Sequence, residues 1–182
     1  MVLLFLADGF EEIEALTQVD YLRRAGVEIV TVGVDGEIAC GTRNIVVKCD
    51  TTLDKVEYTN DVEMVILPGG LGGMNTLKAN VKVCDIVKKA YSDKKYIAAI
   101  CASPTVFAHL GLLNGKKCIC YPGMEDELVQ GGGVVTDERV VTDGNIITAK
   151  AAGASEEFSF ELIRLLCGKD VAEKVKNSIC AR

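Results

Sequence analysis

The amino-acid sequence predicts an α/β fold, a mostly parallel sheet covered by helices on both sides, and three observations predict it. Short runs of consecutive apolar residues recur at 2–6, 29–34, 62–67, 96–100 and 146–149. Glycine or charged residues bound each run. Stretches with helical periodicity lie between them. A strand apolar on both faces has to be covered on both, and alternation of strand with helix supplies two covering layers.

The first run, Met1-Val2-Leu3-Leu4-Phe5-Leu6, passes straight into Ala7-Asp8-Gly9. It lacks the basic region and cleavage site of a signal peptide and is read as a buried strand. A helix is predicted over 11–25, with Leu16, Val19 and Leu22 on one face and Gly26 as its stop. Within 37–49, Ile38-Ala39-Cys40 and Ile45-Val46-Val47 flank Gly41-Thr42-Arg43-Asn44, which predicts a small hairpin leaving the main sheet. Further helices are predicted over 81–91, 104–110 and 155–166, with a short one near the C-terminus.

Composition narrows the setting. The chain has 182 residues, 49% of them hydrophobic, with three prolines and no linker-like or repeated segment, so one domain over 1–182 is expected. The net charge of −6 comes without a basic stripe, which argues against nucleic-acid binding. No apolar run approaches the ~20 residues of a membrane-spanning helix. Eight cysteines without an export signal read as reduced thiols in a cytoplasmic protein. Cys49, Cys84 and Cys167 fit small buried hydrophobes. Cys118 and Cys120 form C-x-C rather than C-x-x-C, so no metal is expected.

In a sheet of this kind ligands sit beyond the carboxyl ends of the strands, so chemistry is sought in the turns after Leu6, Leu67 and Ile100. The last of these reads Cys101-Ala102-Ser103-Pro104, with Pro104 set for the first helical position. A cysteine at a helix N-terminus has its thiolate favoured, and the thiolate is the nucleophile. A reactive thiol and a buried structural one both fit this spacing. Pro68-Gly69-Gly70-Leu71-Gly72-Gly73 lacks the Gly-Lys-Ser/Thr of a phosphate loop but can bring an amide to an oxyanion. Among Glu11, Glu12 and Glu14, the first two fit compensation of the helix dipole. Glu14 lies deeper, where desolvation would raise its pKa and suit it to proton transfer. His109, the sole histidine, falls ~12 Å along the helix from Cys101, too far for a Cys-His dyad.

Together, Ala99-Ile100-Cys101-Ala102-Ser103-Pro104, Leu67-Pro68-Gly69-Gly70 and Glu11-Glu12-Ile13-Glu14 resemble the motifs of the ThiJ/PfpI superfamily, in the branch of the parkinsonism-associated protein DJ-one. The resemblance implies a flavodoxin-like three-layer sandwich, commonly a homodimer, with a nucleophile-elbow cysteine hydrogen-bonded to a protonated glutamate. By motif position these are Cys101 and Glu14, with the amides of Gly70 and Ala102 as oxyanion donors. Arg43 falls where the family has an arginine reaching toward the partner's site, and Arg24 matches an arginine near the interface. Two positions depart from the pattern. Tyr121 stands where the family has a supporting histidine, which puts in question a proton shuttle there. Ser103 replaces a glycine, which narrows the pocket or adds a hydroxyl donor.

Three functions are implied. One is a cofactor-free glyoxalase or deglycase acting on a small aldehyde, methylglyoxal or its adducts, in a stress response. Another is a redox sensor or chaperone whose Cys101 meets an oxidant and becomes a sulfinate. An amidase or peptidase is disfavoured, because no histidine stands beside the cysteine.

Overall fold

The strands predicted at 2–6, 96–100 and 146–149 form over those residues in a computed structural model, which describes residues 1–181. In chain order the elements are β1 (Val2–Leu6), α1 (Glu12–Arg24), β2 (Ile29–Gly33), β3 (Ile38–Cys40), β4 (Val46–Lys48), β5 (Thr51–Thr52), β6 (Met64–Leu67), α2 (Leu71–Ala79), α3 (Val81–Ser92) and β7 (Tyr96–Ile100). There follow α4 (Pro104–His109), β8 (Lys117–Cys118), α5 (Glu125–Gln130), β9 (Val134–Val135), β10 (Val140–Asp143), β11 (Ile146–Ala149), α6 (Ser155–Cys167) and α7 (Lys169–Ser178).

Seven strands form the main sheet in the order β10-β11-β7-β6-β1-β2-β5. All neighbours are parallel except β10, which pairs antiparallel with β11. From β1 the chain moves one way to β2, and later the other way through β6, β7 and β11. The order therefore reverses beside β1, and the crevice between the ends of β1 and β6 is the topological switch point. The hairpin β3–β4 pairs Ile38 with Lys48 and Cys40 with Val46 in a sheet of its own, as predicted.

Alternation along the strands divides their side chains between two apolar layers. Leu3, Phe5, Val65, Leu67, Ile97 and Ala99 face α2 to α5, meeting Leu77, Val87, Phe107 and Leu128. Val2, Leu4, Met64, Ile66, Ala98 and Ile100 face α1, α6 and α7, meeting Ala15, Leu22, Phe158 and Leu162. Each fully buried leucine or phenylalanine contributes ~1.5–3 kcal/mol. The continuous apolar runs in the sequence are thus two interleaved half-patterns, one for each layer.

Helix α1 differs from its sequence reading. Its buried positions are Glu12, Glu14, Ala15, Gln18 and Leu22, while Leu16 and Val19 are half-buried. Polar residues on that face are satisfied there: Gln18 accepts a hydrogen bond from Ser159 Oγ at 2.7 Å and donates to the Ser155 carbonyl at 3.4 Å. An apolar-period reading cannot register a face whose buried side chains are mostly polar. That rotation turns Glu14 toward the sheet. The sequence reading also left out β10, as well as α2 and α5, whose glycine-rich and strongly charged sequences mask their pattern.

Candidate active site

Three strand ends converge on the switch point. Cys101 follows β7 directly and has φ of 65°, left-handed for a residue with a side chain. That conformation costs ~1–2 kcal/mol and persists where neighbours enforce it. Here the Cys101 amide donates to the Ala149 carbonyl at 2.9 Å, and the Tyr121 amide donates to the Cys101 carbonyl at 2.8 Å. With both backbone groups held, Cys101 is partly exposed and lines a cleft.

The loop after β6 completes the geometry. The Gly69 amide donates to Glu14 Oε2 at 3.0 Å. A Cβ on Gly69 would overlap that oxygen and stand 2.6 Å from the Cys101 Cβ, so only glycine lets the acid and the cysteine approach from both sides. Gly70, with φ of 90°, caps the start of α2, and its amide and that of Ala102 point at the sulfur. Gly69→Ala is expected to lower stability by ~1–3 kcal/mol through overpacking. It should also slow the reaction of Cys101 at least about tenfold, because the thiol and carboxyl are pushed apart. Urea unfolding and the alkylation rate of Cys101 check the two effects, and a wild-type alkylation rate would refute the second.

The three glutamates have separate duties. Glu11 is the N-cap of α1, its carboxylate accepting from the Glu14 amide at 2.8 Å. Glu12 is buried, and it accepts from the Arg43 amide at 2.6 Å and from Thr42 Oγ1 at 3.0 Å. Burial opposes its charge, but these bonds prevail and hold its pKa below the usual carboxylate range. Glu12 thereby anchors the β3–β4 turn over the site, a role that dipole compensation does not describe. Glu14 is 1% exposed and within hydrogen-bonding reach of the Cys101 side chain.

Burial raises the Glu14 carboxyl to about 7, the Glu11 charge adding to the rise while Cys101 and the amides of Gly69 and Ala152 oppose it. Burial, and then the Glu14 charge, push the Cys101 thiol up to about 12, against the pull of the Gly70 and Ala102 amides. The loop amides of Gly70 and Ala102, rather than a helix dipole, are what favours charge on the sulfur. Helix α4 begins three residues after the cysteine and has six residues, so the sulfur does not sit on its first turn. The two groups titrate as a pair: the first proton leaves near 7 and the second stays. At neutral pH and above, a single proton lies between sulfur and carboxyl, and Glu14 is placed to accept it as the sulfur attacks.

The sulfur opens on a cleft of about 400 Å³. Arg43, Tyr121, Gly70 and Ala102 line it, as does the apolar wall of Leu71, Pro122 and Met124, which the sequence reading did not single out. Ser103 is not on this wall: it is fully buried, with its hydroxyl turned to the Pro68 carbonyl. It therefore neither narrows the cleft nor donates into it. Arg24 also lies outside the cleft, paired with Asp20 on the exposed last turn of α1. His109 ends α4 and is exposed, away from the cleft. Among the described residues no group of three or more His, Cys, Asp or Glu could hold a metal ion, and no helix is long and apolar enough to cross a membrane.

Comparison with known proteins agrees with this fold. The DJ-1/PfpI family model matches residues 1–165. Protein dj-1beta of Drosophila melanogaster is 38% identical over 178 residues, covering 97% of this chain and 95% of the relative. A deglycase of Pyrococcus abyssi is 28% identical over 165 residues, covering 91% and 98%. The crystal structure of Drosophila melanogaster DJ-1beta superimposes with a TM-score of 0.94 at 37% identity, covering 100% of this chain and 97% of that one.

Proposed function

The chain belongs to the DJ-1/PfpI family, and from that premise we propose that it is a cofactor-independent, cysteine-dependent glyoxalase or deglycase acting on methylglyoxal or its adducts. One observation carries the reading: a sulfur faced by two backbone amides and backed by a buried acid of raised pKa opens on a cleft with room for a small aldehyde or a larger adduct of one. In the reaction Glu14 takes the thiol proton as Cys101 Sγ bonds to the aldehyde carbon. The amides of Gly70 and Ala102 hold the oxyanion. The resulting adduct keeps the ketone beside it. Moving the proton from the aldehyde carbon to the neighbouring carbon oxidises the first and reduces the second, and water then releases the sulfur. Methylglyoxal and water become lactate without net oxidation, so the chemistry calls for no redox partner.

Tyr121, about half exposed on the rim, offers a phenol where the resemblance implies a histidine. Arg43 is available to orient the substrate's second oxygen. Exposed Ile13 on α1 and Ile38, Ile45 and Val46 on the hairpin support docking of a second copy on that side.

Alkylation tests the assignment. One equivalent of iodoacetamide taken up at Cys101, located by peptide mass, is expected to end lactate formation from methylglyoxal in buffer free of Tris and thiols. Full activity after that modification would reject it. The partial exposure of the sulfur also suits oxidation. A gain of two oxygens confined to Cys101 under mild peroxide, in a protein that makes no lactate, would favour the sensor.

A further inference from the structure

We propose that Ser103 is a positioning residue that sets the reactivity of Cys101 by tying the cysteine turn to the glycine loop. The β6–β7 ladder ends with Leu67 opposite Ala99, and past it the two chains run on into separate turns. One turn contributes the Ala102 amide to the sulfur, and the other contributes the Gly70 amide. Across this gap the Ser103 hydroxyl, fully buried, donates to the Pro68 carbonyl at 2.5 Å.

Ser103 is itself fixed. Its amide donates to the Ile100 carbonyl at 3.1 Å and its carbonyl accepts from the Val106 amide at 2.9 Å, so the hydroxyl hangs from a closed turn. Pro68 directly precedes Gly69 and Gly70, whose amides face Glu14 and Cys101 respectively. A short bond between two anchored pieces of backbone therefore fixes the spacing of the two amides around one sulfur. Glycine, implied at this place by the family resemblance, would leave that spacing to the strands alone. Hydrogen-bond strength depends steeply on donor geometry, so freeing either amide weakens the pull on negative sulfur.

The inference rests on Cys101 being the reacting sulfur, and its test reads that separately. The rate of alkylation by iodoacetamide at Cys101 is followed from about pH 5 to 10 by peptide mass in wild type, Ser103→Ala and Ser103→Gly. The exposed Cys180 thiol serves as internal reference. Both variants are expected to raise the midpoint near 7, at which the Cys101–Glu14 pair loses its first proton, by about half to one unit, and to slow Cys101 alkylation at pH 7 about 3- to 10-fold. Cys180 rates should be unchanged, and Ser103→Gly answers the question should the alanine variant fold poorly. Superimposed profiles, in a protein whose Cys101 outpaces Cys180, overturn the proposal alone. A Cys101 that never outpaces Cys180 overturns the reading beneath it as well.

Discussion

Cys101→Ser is expected to lower lactate formation from methylglyoxal by at least about a thousandfold while leaving the fold intact. The left-handed turn at residue 101 is enforced through backbone groups, by the Ala149 carbonyl on one side and the Tyr121 amide on the other, and neither contact uses the sulfur. Serine can therefore occupy the same turn, and its thermal midpoint should lie within a few degrees of wild type. Chemistry is where it fails. A carboxylate whose pKa is about 7 can share a proton with a thiol, but an alkanol holds its proton far more tightly and the same base cannot remove it. The amides of Gly70 and Ala102 would still bind substrate, so KM should change less than kcat. Lactate assayed enzymatically, with the variant's circular dichroism as control, decides the matter. A folded serine variant with the wild-type rate removes the nucleophile from the scheme.

How much of this was legible in the sequence follows from what kind of force fixes each part. The central strands were readable because burial on two faces leaves an unbroken apolar run, as in Val2-Leu3-Leu4-Phe5-Leu6, whose residues divide between both layers. The hairpin at β3–β4 was readable from its turn residues. Helix α2 was not, because Leu71-Gly72-Gly73 looks like loop. Those glycines pack against Gly9 and Phe10, a tertiary contact with no local signature. The Asp143-Gly144-Asn145 turn between β10 and β11 did carry a hairpin signal, and it went unread.

The site divides in the same way. Cys101, Glu14, Gly70 and Ala102 could be named from strand-end turns and their motifs, since chain order and the switch point bring those turns together. The state of the sulfur could not be, because it depends on how deeply both partners are buried and which amides reach them, quantities absent from spacing. Glu12 shows the limit most plainly. Its sequence context is that of any acidic residue in a first helical turn, and its bonds to Thr42 and Arg43 arise from a hairpin 30 residues away.

Glu14→Gln should separate the acid's two effects, on rate and on stability. Glutamine still presents an oxygen to the Gly69 amide, so the packing around Gly69 is kept, but it can no longer accept the thiol proton. Turnover should fall about a hundredfold or more, and the rise of wild-type activity through about pH 7, where the pair loses its first proton, should disappear. Stability moves the other way. The folded carboxyl is raised from 4.5 to about 7, so folding binds a proton across that interval; the wild type has its full contribution below about pH 4.5 and loses it as pH climbs to about 7. A shift of that size amounts to about 3 kcal/mol, which glutamine, having no proton to lose, does not forfeit. Urea unfolding at about pH 5 and pH 8 is therefore expected to show wild type weakening while the variant stays level, below the range where the Cys101 thiol enters. A wild type equally stable at both would mean that the buried carboxyl ionises like an exposed one. Because acid and sulfur act through the same proton, the double variant with Cys101→Ser should be hardly slower than Cys101→Ser alone, and multiplied losses would show that Glu14 acts on substrate by another route.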